Sequence, residues 1–341
     1  MHSIDSSQKK YVLRFFKILV FILSVIMVGY LLDFAFVPVS YFHWVKHYRD
    51  QLSGKIDTLI IGDSLPMYAV QPTVLDNEFG CTSFNASSAS QHLEDTFYLL
   101  QDYIKSENLK TVFFGIDYYN FLKSSEINGV AETQQVFKRI KDPKIKFRYI
   151  KGKLNGSNIS EWLFPVRIHR EDFWNCRKNI AAKLTHEYRN YLILSDERYL
   201  LEAGTYYYDK GYVFTKRVND SYVEGNCDMN EMTGTQITMF KNIIQLCLDN
   251  NIKINVFHSP IKVQRKANIN NYDYFIDTMK KIAAEMNFDF YDFNSYCAYS
   301  VLDDSCFVNA AHLNYKGSCI FMEWLCKTYL STYEDRNRLF E

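Results

Sequence analysis

The chain has 341 residues, 48% of them hydrophobic, enough to bury one large domain or one domain carrying a sizeable insertion. Its 39 basic and 39 acidic residues cancel, so it lacks the basic excess by which nucleic-acid binders attract phosphate. Its eight cysteines contain no CxxC pair, which argues against a zinc site, and the sequence points to no cofactor.

Residues 15–37 are almost wholly apolar, and about 20 residues at 1.5 Å each cross a bilayer core. Lys17 and Asp33 flank the uncharged part, residues 18–32, and are expected to snorkel to the two interfaces. Lys9, Lys10, Arg14 and Lys17 precede the span, which predicts a cytoplasmic N-terminus and an extracytoplasmic main domain. No small-x-small site closes the segment, so residues 1–37 read as a cytoplasmic tail and retained transmembrane anchor. A cleaved signal peptide and a buried soluble helix are the alternatives. Residues 38–54 read as an amphipathic connector.

From residue 55 the pattern is α/β. Strands are expected at 58–61, 82–85 and 111–116, with a helix over 91–106 capped by Ser90. The continuous apolar runs at 58–61 and 111–116 suit strands buried on both faces of a parallel sheet. Over 123–232 the rhythm loosens into an insertion or cap holding Trp162, His169, Trp174, His186 and Tyr206–Tyr208. It either shapes a substrate cleft or is scaffolding. The alternation then resumes with helices at 235–250 and 271–286, strands at 252–257 and 288–291, and a last helix from Tyr315. Aromatic residues, 16% of the chain, fit either a Tyr- and Phe-rich core or a carbohydrate-facing surface. Cys319 and Cys326 read as one buried helical face, and Cys297 and Cys306 would pair in an oxidising compartment.

Two segments carry chemistry. An apolar strand runs directly into Gly62-Asp63-Ser64, and far downstream stands His312 in the run FVNAAHLNYKG over residues 307–317. A serine hydroxyl attacks a carbonyl at neutral pH only with a base beside it, and a strand end can hold such a hydroxyl still. The ordinary alternatives are a capped strand-to-helix turn at Ser64 and a helix-capping histidine at 312.

With residues 60–64 (IIGDS), 84–91 (FNASSASQ), 112–117 (VFFGID) and 312–317 (HLNYKG), the chain resembles the SGNH/GDSL hydrolase superfamily. It is most similar to the membrane-anchored extracytoplasmic members associated with acylation of cell-surface polymers, and residues 163–169 and 210–212 resemble that subgroup more weakly. The resemblance implies a flavodoxin-like three-layer α/β/α sandwich with a parallel sheet, its active site at the carboxyl ends of the strands. It implies Ser64 as nucleophile, His312 as general base and Asn309 in the slot of the orienting acid. It implies oxyanion donors at the Ser64 amide, the Ser90 amide and the slot of Asp117. Asp63, Asn85 and His258, which ends a strand at the same sheet edge, are further candidates for oxyanion or substrate contact. The alternatives are a structural Asn85 bonding across its block and a hydrogen-bonded loop histidine at 258.

Three slots depart from the family pattern. Ser90 replaces a glycine, Asp117 replaces an asparagine, and Asn309 replaces an acid that Asp303 or Asp304 would have to supply from the preceding loop. A carboxylate at 117 cannot donate to an oxyanion, and an amide at 309 orients an imidazole without offsetting its charge. The expected activity is that of a serine esterase or O-acyltransferase acting on an acylated surface glycan or a small ester. The alternative is an impaired binding or assembly partner of a membrane-bound O-acyltransferase.

Overall fold

Strands β1 (Thr58–Gly62) and β3 (Thr111–Gly115) are short apolar runs, and β7 (Lys253–His258) mixes apolar residues with Asn255 and His258. The inner residues of all three are buried, as a parallel sheet covered on both faces requires. In the computed structural model, which describes residues 6–123, 129–154, 156–169, 174–191, 205–218, 226–294 and 301–337, they form the centre of a five-stranded sheet. Its order is β2-β1-β3-β7-β9, with β2 (Ser83–Asn85) and β9 (Asp289–Asp292) at the edges and every pairing parallel. The architecture is α/β, as the alternation of strand and helix patterns predicts.

Side-chain alternation assigns each face its helix. Ile60 and Phe113 are register neighbours, and with Phe257 they meet Phe321, Leu325 and Tyr329 of the last helix, α14 (Tyr315–Asn337). On the opposite face Phe114 packs on Phe240 of α11 (Gly234–Asp249), and Phe84 packs on Tyr103 of α5 (Leu93–Ser106). Each such ring withdrawn from water contributes about 1.5–3 kcal/mol. The crossovers also carry α3 (Ser64–Ala69), α4 (Pro72–Phe79), α12 (Val263–Ala267) and α13 (Tyr272–Met286).

The chain divides into two units. One comprises residues 1–39 and 154–192, and the other residues 40–153 and 193–341, which include the sheet. In the first, α1 (Ser6–Phe36) presents exposed apolar side chains, and its stretch Lys10–Phe36 is long and apolar enough to cross a membrane. The same unit holds α8 (Ile159–Leu163), α9 (Cys176–Leu184) and α10 (His186–Arg189). The expected insertion is therefore shared between the units.

The sheet unit keeps the rest. The expected connector forms α2 (Phe42–Gln51), followed later by α6 (Val130–Arg139) and α7 (Pro143–Lys153). An antiparallel hairpin, β4 (Thr205–Asp209) and β5 (Tyr212–Thr215), seats its turn on β2, and a short parallel pair joins β6 (Cys227–Asp228) to β8 (Ile269–Asn270). Asn85 N–H donates to Lys210 O (2.8 Å). Gly211 has φ +91°, and a Cβ there would meet Asn85 O at 1.8 Å. Gly211→Ala is expected to lift this turn and cost about 1–3 kcal/mol, measurable as a lowered midpoint in thermal unfolding.

One local expectation needs correction, and two others fall wholly or partly outside the described residues. Ser90 is not the cap of α5. Gln91 N–H closes a turn onto Ser88 O, leaving Ser90 at φ +52°, and the helix starts at Leu93 with Asp95 accepting from the His92 amide. Cys306 is a buried free thiol donating to Asp303 Oδ1, and Cys297 lies outside the described residues. The side chains of Tyr206–Tyr208 also lie outside them.

Candidate active site

The nucleophile turn is built on two glycines. Gly62 and Gly115 are register partners at the carboxyl ends of β1 and β3. A Cβ on Gly62 would stand 2.2 Å from Gly115 O, and one on Gly115 would stand 2.7 Å from Pro66. Only bare backbone lets the first turn of α3 press onto the strand ends, and that contact holds half-buried Ser64 at the sheet rim.

Asp63, immediately before it, is 7% exposed. Its Oδ1 accepts from Leu65 N–H (2.9 Å) as the α3 cap, and its Oδ2 accepts from Asn120 Nδ2 (2.8 Å). Asp63 therefore braces the turn rather than facing a substrate, which corrects its placement among the oxyanion and substrate contacts.

His312 arrives from the other end of the chain. It sits three residues ahead of α14, on a loop closed by the antiparallel bridge Phe307–Leu313 and by Val308 N–H donating to His312 O (2.9 Å). Its Nε2 stands 2.7 Å from Ser64 Oγ, and its Nδ1 stands 3.1 Å from Asn309 Oδ1. The protons follow from the loop. Asn309 Oδ1 also accepts from the amides of Ala311 (3.0 Å) and His312 (2.9 Å), so the oxygen, not the NH₂, must face the ring. An oxygen can only accept, so Nδ1 carries the hydrogen and Nε2 turns its lone pair to Ser64. The Ser64 hydroxyl then donates to Nε2.

Electrostatics make this base unusual. Burial, reinforced by the Arg265 cation, pushes the His312 imidazole down to about 4. Neither acid of the preceding loop opposes the shift by bonding to the ring. Asp303 accepts from Ser305 N–H and lies near Lys316, and Asp304 is exposed near Lys262. The ring of Tyr68 lies 5.1 Å from that of His312 and walls one side.

The loop after β2 lies beside the nucleophile turn, with Ser88 N–H donating to Gly62 O (3.3 Å). A buried arginine that sequence reasoning missed clamps it. Arg139, at the end of α6, donates to Ala86 O (2.7 Å), Ser88 Oγ (2.9 Å) and Gln91 Oε1 (2.6 Å). Ser90 sits within that clamped loop, exposed, with the positive φ a glycine adopts most easily.

The remaining expectations separate. Asn85 spends both Nδ2 hydrogens on Pro66 O (2.9 Å) and Val70 O (3.0 Å), and its Oδ1 takes Ser87 N–H, so it ties α3 down and has no donor for an oxyanion. Asp117 accepts weakly from Tyr119 N–H (3.5 Å) and stands 4.0 Å from His258 Nε2. His258 is fully buried, with Nδ1 2.9 Å from Tyr272 Oη, whose hydroxyl donates to Asp292 (2.9 Å). It is a core residue and not a substrate contact. Asn120 could have been suspected from its place three residues beyond Asp117, just past the end of β3.

Neither a protein-family model nor a curated protein matches the chain.

Proposed function

We propose that the protein is a membrane-tethered serine acyl-transfer enzyme of the SGNH/GDSL kind, with Ser64, His312 and Asn309 as its working residues. The single observation that carries the reading is the chain Ser64 Oγ to His312 Nε2 (2.7 Å) and His312 Nδ1 to Asn309 Oδ1 (3.1 Å). It joins groups 248 residues apart in sequence. The strand order, 2-1-3-4-5 when the sheet strands are counted along the chain, is that of flavodoxin-like sheets. Such sheets bind ligands at strand carboxyl ends, where Ser64 lies.

In the proposed mechanism Ser64 Oγ bonds to the carbonyl carbon of an ester while its proton passes to His312 Nε2. The tetrahedral oxyanion takes hydrogen bonds from the amides of Ser64 and Ser90. Collapse breaks the ester bond, and the leaving alkoxide takes the proton from His312. Water or a sugar hydroxyl then attacks the acyl-serine carbonyl and gives its proton to His312 Nε2, the acyl–Oγ bond breaks, and Ser64 Oγ takes that proton back. Water makes the reaction a hydrolysis, and a glycan hydroxyl makes it a transfer. The candidate span in α1 supports a membrane tether. An acylated surface glycan as substrate, a domain outside the cytoplasm and a membrane-bound O-acyltransferase as partner extend this by analogy with the motifs' resemblance.

A serine-reactive fluorophosphonate tests the reading. Its adduct is expected on the peptide containing Ser64, and a folded chain that takes no adduct would refute it. The uncharged Asn309 favours a second reading, a glycan-binding or assembly partner with a spent site, and that reading predicts the unlabelled result.

The pH dependence separates the two further. With His312 depressed to about 4, the basic form is present above that value, so hydrolysis of a small ester is expected to rise through pH 4 rather than near 6.5. Asn309→Asp places a negative charge beside Nδ1 and is expected to raise the ring pKa by about one to three units. The acid limb then moves toward neutrality and the rate at pH 7 rises, because a stronger base shares the proton in the transition state. A limb that stays in place would remove His312 from the proton path.

A further inference from the structure

The unit that contains α1 carries more than an anchor. Asp33 O still accepts from Val37 N–H (3.0 Å), but beyond it no further helical turn serves the carbonyls of Phe34, Phe36 and Val37, and α9 supplies donors to these. Asn179 and Lys183, four residues apart and so on one face of α9, both reach back to α1. Asn179 Nδ2 donates to Phe36 O (3.1 Å), and Lys183 Nζ donates to Phe34 O (2.8 Å) and to the carbonyls of Asp33 and Val37. The Lys183 ammonium also lies at the negative end of the helix dipole. From the other side Asp33 Oδ1 accepts from Val166 N–H (3.1 Å). These bonds tie Val166 and the Asn179–Lys183 face of α9 to the end of the apolar span.

Depth follows from length. Arg14 to Asp33 is 19 helical steps, about 28 Å, close to the hydrocarbon thickness of a bilayer. Whatever is bonded to Asp33 therefore stands at headgroup level. The segment held there has the surface such a place selects. Trp174 is 89% exposed, and Leu184, Ile159 and Phe164 are exposed with it. Interspersed are the exposed cations Arg167, Arg177, Lys178 and Arg189. Over residues 159–189 the sequence carries six Lys and Arg against the four carboxylates Glu161, Glu171, Asp172 and Glu187, a net charge of +2. A tryptophan so open to water is costly in solution and favourable among headgroups.

We propose that residues 159–169 and 174–189 form a shelf that lies on the membrane surface at the C-terminal end of α1 and binds anionic phospholipid headgroups. Arg167, Arg177, Lys178 and Arg189 meet the phosphates, and Trp174 and Leu184 enter the interface. The proposal rests on reading α1 as a membrane span.

The test uses the full chain in phosphatidylcholine vesicles with and without phosphatidylglycerol. Two photoactivatable lipids are used, one with its diazirine at the headgroup and one with it deep in the acyl chain, and adducts are mapped by peptide mass. The headgroup probe is expected to label residues 159–164 and 174–184, more strongly with phosphatidylglycerol present. Arg177→Ser/Lys178→Ser is expected to reduce that anionic preference about fivefold or more, while labelling of α1 by the deep probe stays unchanged. An α1 labelled by the deep probe beside an unlabelled shelf overturns the shelf alone. An α1 that the deep probe misses overturns the span, and the shelf with it. A shelf shielded from both lipids in a chain that amine-reactive reagents cross-link as a dimer assigns this face to a second copy and overturns the lipid assignment.

Discussion

Ser64→Ala and His312→Ala are each expected to lower hydrolysis of a small activated ester such as p-nitrophenyl acetate by at least about 10³-fold, and the double variant to lose little more. The non-additivity is the diagnostic part. Ser64 Oγ and His312 Nε2 share one proton across 2.7 Å, so removing either ends the same step. Folding is expected to survive both changes. Asp63 still caps α3 through Leu65 N–H and still takes Asn120 Nδ2, and Asn309 still accepts the Ala311 and residue-312 amides. Unchanged circular-dichroism melting beside lost turnover would assign the effect to chemistry. Wild-type hydrolysis persisting in either single variant would remove that residue from the mechanism.

The legible parts of this protein are those with short-range physical signals. Continuous apolar runs announced β1 and β3, because a strand buried on both faces has no polar side to show. By contrast β7, with Asn255 buried in its middle, was read from the returning alternation of helix and strand. Ser64 and His312 were legible as chemical types at element ends, and their meeting followed only from a parallel sheet that collects its strand ends at one rim. His258 illustrates a signal present but unused. It shares parity with Val256 and so faces α13, through Tyr272 and Phe275, whereas Phe257 faces α14. A strand end at the right edge thus pointed its ring into the core on the wrong face. The bonds of Asn120 and Arg139 were illegible for another reason, although the position of Asn120 just past β3 was itself a hint. The partners of these two residues lie 57 and up to 53 residues away, and neither spacing nor periodicity encodes a side-chain bond across that distance. The same holds for Lys183, which finds its carbonyls almost 150 residues back.

Arg49→Met is expected to destabilise the sheet unit by about 3–5 kcal/mol, seen as a fall of about 10 °C in the unfolding midpoint of the detergent-solubilised chain. Arg49 is 2% exposed and its partner Asp102 is fully buried, with Nη2 to Oδ2 at 2.7 Å. Removing the cation leaves a carboxylate without its counter-charge in the interior, which costs more than the pair ever contributed. Asp102 has a second task that makes full rescue impossible. Its Oδ1 accepts the amides of Lys141 (3.0 Å) and Asp142 (2.7 Å), while Arg49 Nη1 donates to Arg139 O (2.6 Å). In Arg49→Met/Asp102→Leu the unpaired charge is gone but those two amides lose their acceptor. The double variant should therefore recover part of the loss and stop short of wild type by about 1–3 kcal/mol. The network also reaches the site, because the residue whose carbonyl Arg49 holds is the arginine that clamps Ala86, Ser88 and Gln91. Esterase activity is accordingly expected to fall in Arg49→Met at temperatures where the sheet unit is still folded. An Arg49→Met melting curve that overlays wild type would show that the loop around Ser90 is held by something other than this buried chain of charges.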